Sequence, residues 1–272
     1  MSISSFLSKK FLKSLFFPAH NRGKALPKGL IRLLKKQPGF WDLPELPEIG
    51  SPLSNSGLIH DAQISISKKV NTKKCFFGVN GASGLIQSGI IAMANPGEYI
   101  LMPRNVHISV IKTCALQNII PIFFDIEFSK VTGHYMPITK KWFTNVFNNI
   151  DFDNSKIAGV ILVSPYYQGY ATDLEPLIKI CHLHNLPVLV DEAHGSYFLF
   201  CENFNLPKSA LRSKADLVVH SLHKSLNGLT QTAIIWHNGD LIEENKLIKS
   251  INLLQTTSPN SLLLSSCEES IK

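Results

Sequence analysis

Seven short apolar runs, rich in β-branched and aromatic residues, set the limits on how this chain can fold. They are Phe76–Val79, Tyr99–Met102, Ile120–Phe124, Ala158–Val163, Val188–Asp191, Leu217–Val219 and Ala233–Trp236. Most are unbroken rather than alternating, as strands are when both faces of their sheet are covered. Helical spacing separates them, at Leu85–Ala94, Ser109–Gln117, Lys140–Asn148 and Leu174–Asn185. Strands joined through crossover helices pair in parallel, so the expectation is an α/β fold on a seven-stranded, mainly parallel, doubly wound sheet. Residues 1–70 stand apart from this pattern. Ser2–Phe17 has apolar residues at helical spacing with lysines between them, and reads as a helix packed on a partner subunit. The prolines from Pro38 to Pro52 forbid a continuous helix, so an extended N-terminal arm follows.

The 272 residues suffice for a sizeable core, and 44% hydrophobic against 17% charged residues is a globular balance. Apolar stretches such as Ile157–Val163 are far too short to cross a bilayer. The five cysteines are scattered, odd in number and form no CxxC pair. Neither a disulfide framework nor a zinc ribbon is expected, and a reducing cytoplasm fits best. The net charge of +7 comes from dispersed residues and small pairs such as Lys68-Lys69 and Lys73-Lys74. No basic stripe interleaved with aromatics is present, so nucleic acid is not an expected partner.

Two strand ends carry the chemistry. Val188-Leu189-Val190-Asp191 reads as a central parallel strand with a carboxylate at its C-terminal end, where open α/β sheets bind ligands. About one strand–helix–strand unit later, Asp216–Val219 leads into His220-Ser221-Leu222-His223-Lys224. A partly desolvated lysine amine loses its proton more readily and becomes nucleophilic, so Lys224 is suited to hold a carbonyl cofactor as an imine. An acid facing a pyridinium nitrogen and a lysine forming an imine are the protein partners that pyridoxal 5′-phosphate (PLP) requires. Asn80-Gly81-Ala82-Ser83-Gly84, after the first strand, is a turn whose glycines let backbone N–H groups approach a phosphate. Neither GxGxxG nor GxxxxGK[ST] occurs, which removes the usual nucleotide readings. The Asp191-Glu192-Ala193-His194 run is no metal site, because successive strand side chains point apart.

Asp191-Glu192-Ala193-His194-Gly195 followed by His220–Ala233 resembles the Orn/Lys/Arg decarboxylases among the fold-type-I, aspartate-aminotransferase-like PLP enzymes, with similarity from about Phe17 to the C-terminus. The resemblance implies phosphate contacts from Ala82, Ser83, Gly84, Ser221 and His223. It places His107 on one face of the cofactor ring, Ala193 on the other, and His194 near the ring hydroxyl or the substrate. Tyr167 and Ser164, in the loop before Asp173, are both candidates for the cofactor edge; Asp173 reads as a helix N-cap. Pro18–Lys24 corresponds to a segment that borders the substrate entrance in relatives, with Ala19 and Asn21 departing from its pattern.

The implied reaction is decarboxylation of arginine, lysine or ornithine, with arginine to agmatine foremost and polyamine synthesis as its setting. Lys224 and Asp191 would be its central residues, and Lys224 or His223 would return the proton. A homodimer or higher homo-oligomer is expected. The division is residues 1–70 for the arm, 71–255 for the PLP-binding domain, and 256–272 for the start of a linker to a small C-terminal domain. That domain orients the substrate carboxylate in relatives, so slow or absent turnover is expected without it. The alternatives are a PLP-binding but inactive remnant or partner subunit, or another fold-type-I activity such as an aminotransferase or aldolase.

Overall fold

The computed structural model describes residues 3–8, 16–150, 156–201 and 204–272. Helices α1 (Ile3–Leu7), α2 (Lys28–Leu34) and α3 (Leu58–Val70) precede strand β1 (Lys74–Gly78). Next come α4 (Gly81–Met93), β2 (Tyr99–Pro103), α5 (Ile108–Gln117), β3 (Ile120–Phe124) and a small hairpin, β4 (Phe128–Ser129) with β5 (His134–Tyr135). The chain continues through α6 (Lys140–Asn148), β6 (Ile157–Val163), α7 (Leu174–Leu183) and β7 (Val188–Asp191). It ends with β8 (Leu217–Ser221), the single-turn α8 (Leu222–Ser225), β9 (Ala233–His237), α9 (Glu244–Leu254) and α10 (Ser261–Ile271).

The principal sheet has seven strands in the order β1-β9-β8-β7-β6-β2-β3. From β8 to β3 every pairing is parallel, while β9 runs antiparallel to both β8 and β1. The expected architecture is therefore present. The two-residue strands of the hairpin lie outside the expected set, being too short to show a period. Of the helix expected over Ser2–Phe17, Ile3–Leu7 is helical and residues 9–15 lie outside the described residues. Residues 38–52 form turns and extended chain without a helix.

Alternation along each strand sends successive side chains to opposite faces. Val188, Val190, Val218 and Trp236 join one core with α3, α7 and α10; Leu189, Leu217, Val219 and Ile235 join the other with α4 and α9. Helix α4 lies close on the sheet because Gly89 has no Cβ, which would stand 2.3 Å from a Leu189 methyl and 3.3 Å from Leu217. It starts at Gly81 rather than Leu85, since a positive φ of 71° lets that glycine turn the chain directly from β1 into the helix. Residues 256–272 carry α10, whose Leu264, Cys267 and Ile271 are buried against β1, α2 and α3. Cys75, Cys114, Cys181, Cys201 and Cys267 are free thiols. Among the described residues no helix is long and apolar enough to cross a membrane.

Candidate active site

Parallel pairing of β7 with β8 sets Asp191 opposite Val219, so the chain after β8 emerges beside the carboxylate. Ser221 ends β8 and precedes α8, whose single turn presents His223 and Lys224. The Lys224 Nζ lies 3.1 Å from His194 Nε2, and His194 comes from the turn that follows Asp191. The structure thus gathers Asp191, His194, His223 and Lys224 at the C-terminal ends of two neighbouring parallel strands.

Burial shapes the charges of all four. Asp191 is buried, which pushes its carboxyl upward; the Ala193 amide, donating to Oδ1 at 3.1 Å, and the charge of Lys224 oppose that rise. Lys224 is half-buried, and desolvation lowers its amine while Asp191 partly restores it. His194 falls to about 4, first through burial and then through the positive charges of Lys224, His223 and His107. It is therefore neutral near pH 7 and accepts at Nε2 from the lysine. His223 is also lowered, chiefly by burial.

The residues expected at the phosphate arrive from two directions. Ser221 Oγ and His223 Nδ1 are 3.1 Å apart, and His223 Nδ1 is also 3.4 Å from the Thr232 carbonyl. Ala82, Ser83 and Gly84 belong to the first turn of α4, whose leading N–H groups, at Ala82 and Ser83, have no acceptor within the helix. The Gly81 N–H donates to the Gln231 carbonyl at 2.9 Å, which ties this turn to the segment following Lys224.

His107 occupies the N-cap of α5. Its Nδ1 accepts from the Ser109 amide at 3.2 Å and contacts the Ser109 hydroxyl at 2.8 Å, so the ring has a structural anchor. It is near enough for its charge to act on Asp191 and His194. Ala193 is buried beside Asp191. Of the two loop candidates, Tyr167 packs edge-on against His194 with ring centroids 5.6 Å apart. The Ser164 hydroxyl instead accepts from the Thr172 amide at 3.0 Å and closes the loop on itself. Asp173 is the N-cap residue of α7, but its side chain makes no capping bond.

The Pro18–Lys24 segment was expected beside the substrate entrance, but the individual contacts that the arm makes there were not legible in the sequence. Phe17 stands edge-on to His194 at 5.8 Å, and the Ala19 N–H donates to the His223 carbonyl at 2.8 Å. The Pro18–Lys24 segment therefore borders the site. No group of three or more His, Cys, Asp or Glu side chains arranged to hold a metal ion occurs among the described residues.

Residues 17–272 match the family described as Orn/Lys/Arg decarboxylase, major domain. An arginine decarboxylase of Bacillus cereus is 30% identical over 261 residues, covering 96% of this chain and 55% of that protein. A Francisella novicida lysine decarboxylase structure superposes with a TM-score of 0.70 at 22% identity, over 98% of this chain and 39% of the other. A structure of SPT with PLP gives 0.60 at 18% identity, over 89% and 56%. The chain spans about half the length of the curated relatives it matches.

Proposed function

The chain belongs to the Orn/Lys/Arg decarboxylase family, matching its major domain, and from that premise we propose that it binds PLP through Lys224 and decarboxylates a basic amino acid. The observation that carries this reading is the meeting of Lys224, His194 and Asp191 at adjoining strand ends, with the amine lowered by burial. The donor set fits the cofactor. Asp191 has one oxygen committed to Ala193 and the other without a hydrogen bond among the described residues, as an acceptor for a ring N–H requires. The Ser221–His223 pair and the first turn of α4 supply hydroxyl, imidazole and amide donors for a phosphate. When bound, PLP supplies an electron sink for the pair released as CO₂ departs.

The chain's own residues provide the rest. Asp191, as a buried carboxylate, keeps the ring nitrogen protonated and holds the ring against Ala193. Lys224 is the attachment point, and its desolvation favours the neutral, nucleophilic amine. Neutral His194 holds a proton acceptor at 3.1 Å from that amine. Lys224 or His223 is placed to return a proton to the substrate carbon. Phe17 and Tyr167 meet the His194 ring edge-on. A homodimeric assembly, in which the arm reaches a second subunit, belongs to the same reading.

Arginine is the first substrate to test, because the B. cereus relative is named an arginine decarboxylase; lysine and ornithine follow. The purified chain should be coloured with PLP, keep the label after borohydride at Lys224, and release CO₂ from one of the three amino acids. Lys224→Ala should abolish both the reducible linkage and CO₂ release. Retention of the linkage in that variant would overturn the assignment. Colour without CO₂ from any of the three would leave cofactor binding and remove the decarboxylase.

A further inference from the structure

Beneath the site, on the opposite face of the sheet, lies a second set of polar groups to which the proposed reaction gives no role. Glu192, His220 and Trp236 are buried, at 1%, 0% and 0% exposure. The Trp236 Nε1–H donates to His220 Nδ1 at 2.9 Å. His220 Nε2 lies 2.7 Å from Glu192 Oε2, and Glu192 Oε1 accepts from the Ala210 amide at 2.9 Å.

The chemistry of these groups leaves one arrangement of protons. An indole nitrogen can only donate, so His220 Nδ1 must be bare. A neutral imidazole then carries its hydrogen on Nε2 and donates it to Glu192. Both Glu192 oxygens therefore accept, from His220 and from Ala210, as a carboxylate does; burial pushes the group upward and the bond from His220 opposes that rise. Trp236 thus acts as a tautomer lock on a histidine that no water reaches. The three side chains join β7, β8, β9 and the segment containing Ala210. Glu192 immediately follows Asp191, and His220 immediately precedes Ser221.

We propose that Glu192, His220 and Trp236 form a positioning clamp that fixes the strand ends bearing Asp191 and Ser221–Lys224, with Trp236 selecting the His220 tautomer that makes the clamp work. The proposal rests on the PLP reading for what the clamp positions, but not for the coupling of its members. It makes an isosteric change destructive. In Glu192→Gln, either orientation of the amide sets an NH₂ group against an N–H, of His220 or of Ala210. His220 cannot relieve the clash by moving its proton to Nδ1, because the indole N–H is there. Trp236→Phe removes that obstacle.

The test compares the full chain with E192Q, W236F and the E192Q/W236F pair, reading thermal midpoint, PLP affinity and the visible spectrum of the bound cofactor. E192Q should lower the midpoint by about 5–10 °C. It should also weaken PLP binding by about tenfold and shift the visible band. The double variant should recover part of all three. Phe143→Leu, at a buried position of α6, serves as a control that loses stability without changing the spectrum. If E192Q does not accumulate as soluble protein, the double variant must do so. The proposal is overturned if E192Q matches the parent, if W236F brings no recovery, or if both variants fail to accumulate. Should the parent chain bind no PLP, the reading of the site fails, while recovery of the thermal midpoint still tests the clamp.

Discussion

Burial acts in opposite senses on the acid and the bases that meet at this site, and neighbouring charges oppose it at Asp191 and Lys224. Asp191 is pushed up and Lys224 down, while each partly restores the other. His194 gives a defined pH window, since its folded value of about 4 lies below its ordinary 6.5. Between those values the unfolded chain binds a proton that the folded chain refuses, so stability increases with pH across that window. Thermal midpoints of the cofactor-free protein should therefore fall as pH drops from 6.5 towards 4, and His194→Gln should flatten that slope. A slope unchanged in the variant would show that His194 titrates normally. Asp191 and Lys224 were singled out in the sequence because an acid closing one apolar run and an amine following another, about one strand–helix–strand unit later, were read together. Phe17 and the Ala19 amide were not, because only folding carries the arm back to His223. The tautomer lock was hidden too, since a histidine and a tryptophan on different strands reveal nothing until their register is known.

At the scale of elements, α4 links the sheet to the proposed phosphate turn. Gly89 allows its close approach, and the helix in turn fixes where Ala82, Ser83 and Gly84 stand. Gly89→Val would gain a few tenths of a kcal/mol in helix propensity. It would lose about 1–3 kcal/mol to overpacking against Leu189 and Leu217. A net drop in the urea midpoint with an unchanged m-value is the expected outcome; an unchanged midpoint would mean that the helix lifts off the sheet without strain. The strand interiors were visible in the sequence because two-sided burial selects the same residue types throughout. Their ends were displaced by one or two residues, as at β1 and β8, where polar residues still make ladder bonds. Strand direction was invisible, since an apolar run such as Ala233–Trp236 reads alike in either sense.

Across the whole molecule, the two halves of the site depend on packing remote from it. Helix α10 closes the core below β1, and Leu264 is 4% exposed there. Leu264→Ala should cost about 2–4 kcal/mol, lowering the denaturation midpoints read at the cofactor and by far-ultraviolet circular dichroism together. Separate transitions would show that α10 unfolds on its own. The sheet order carries a temporal consequence. Among the described residues, strand β1 is the first of the sheet to leave the ribosome, yet it pairs there only with β9, the last strand. The acid and the amine can meet as soon as β8 is in place. The glycine turn after β1 gains its strand partner and its bond to Gln231 only when synthesis has passed β9. A nascent chain arrested before β9 emerges is therefore expected to lack the complete proposed cofactor site and to retain no vitamin.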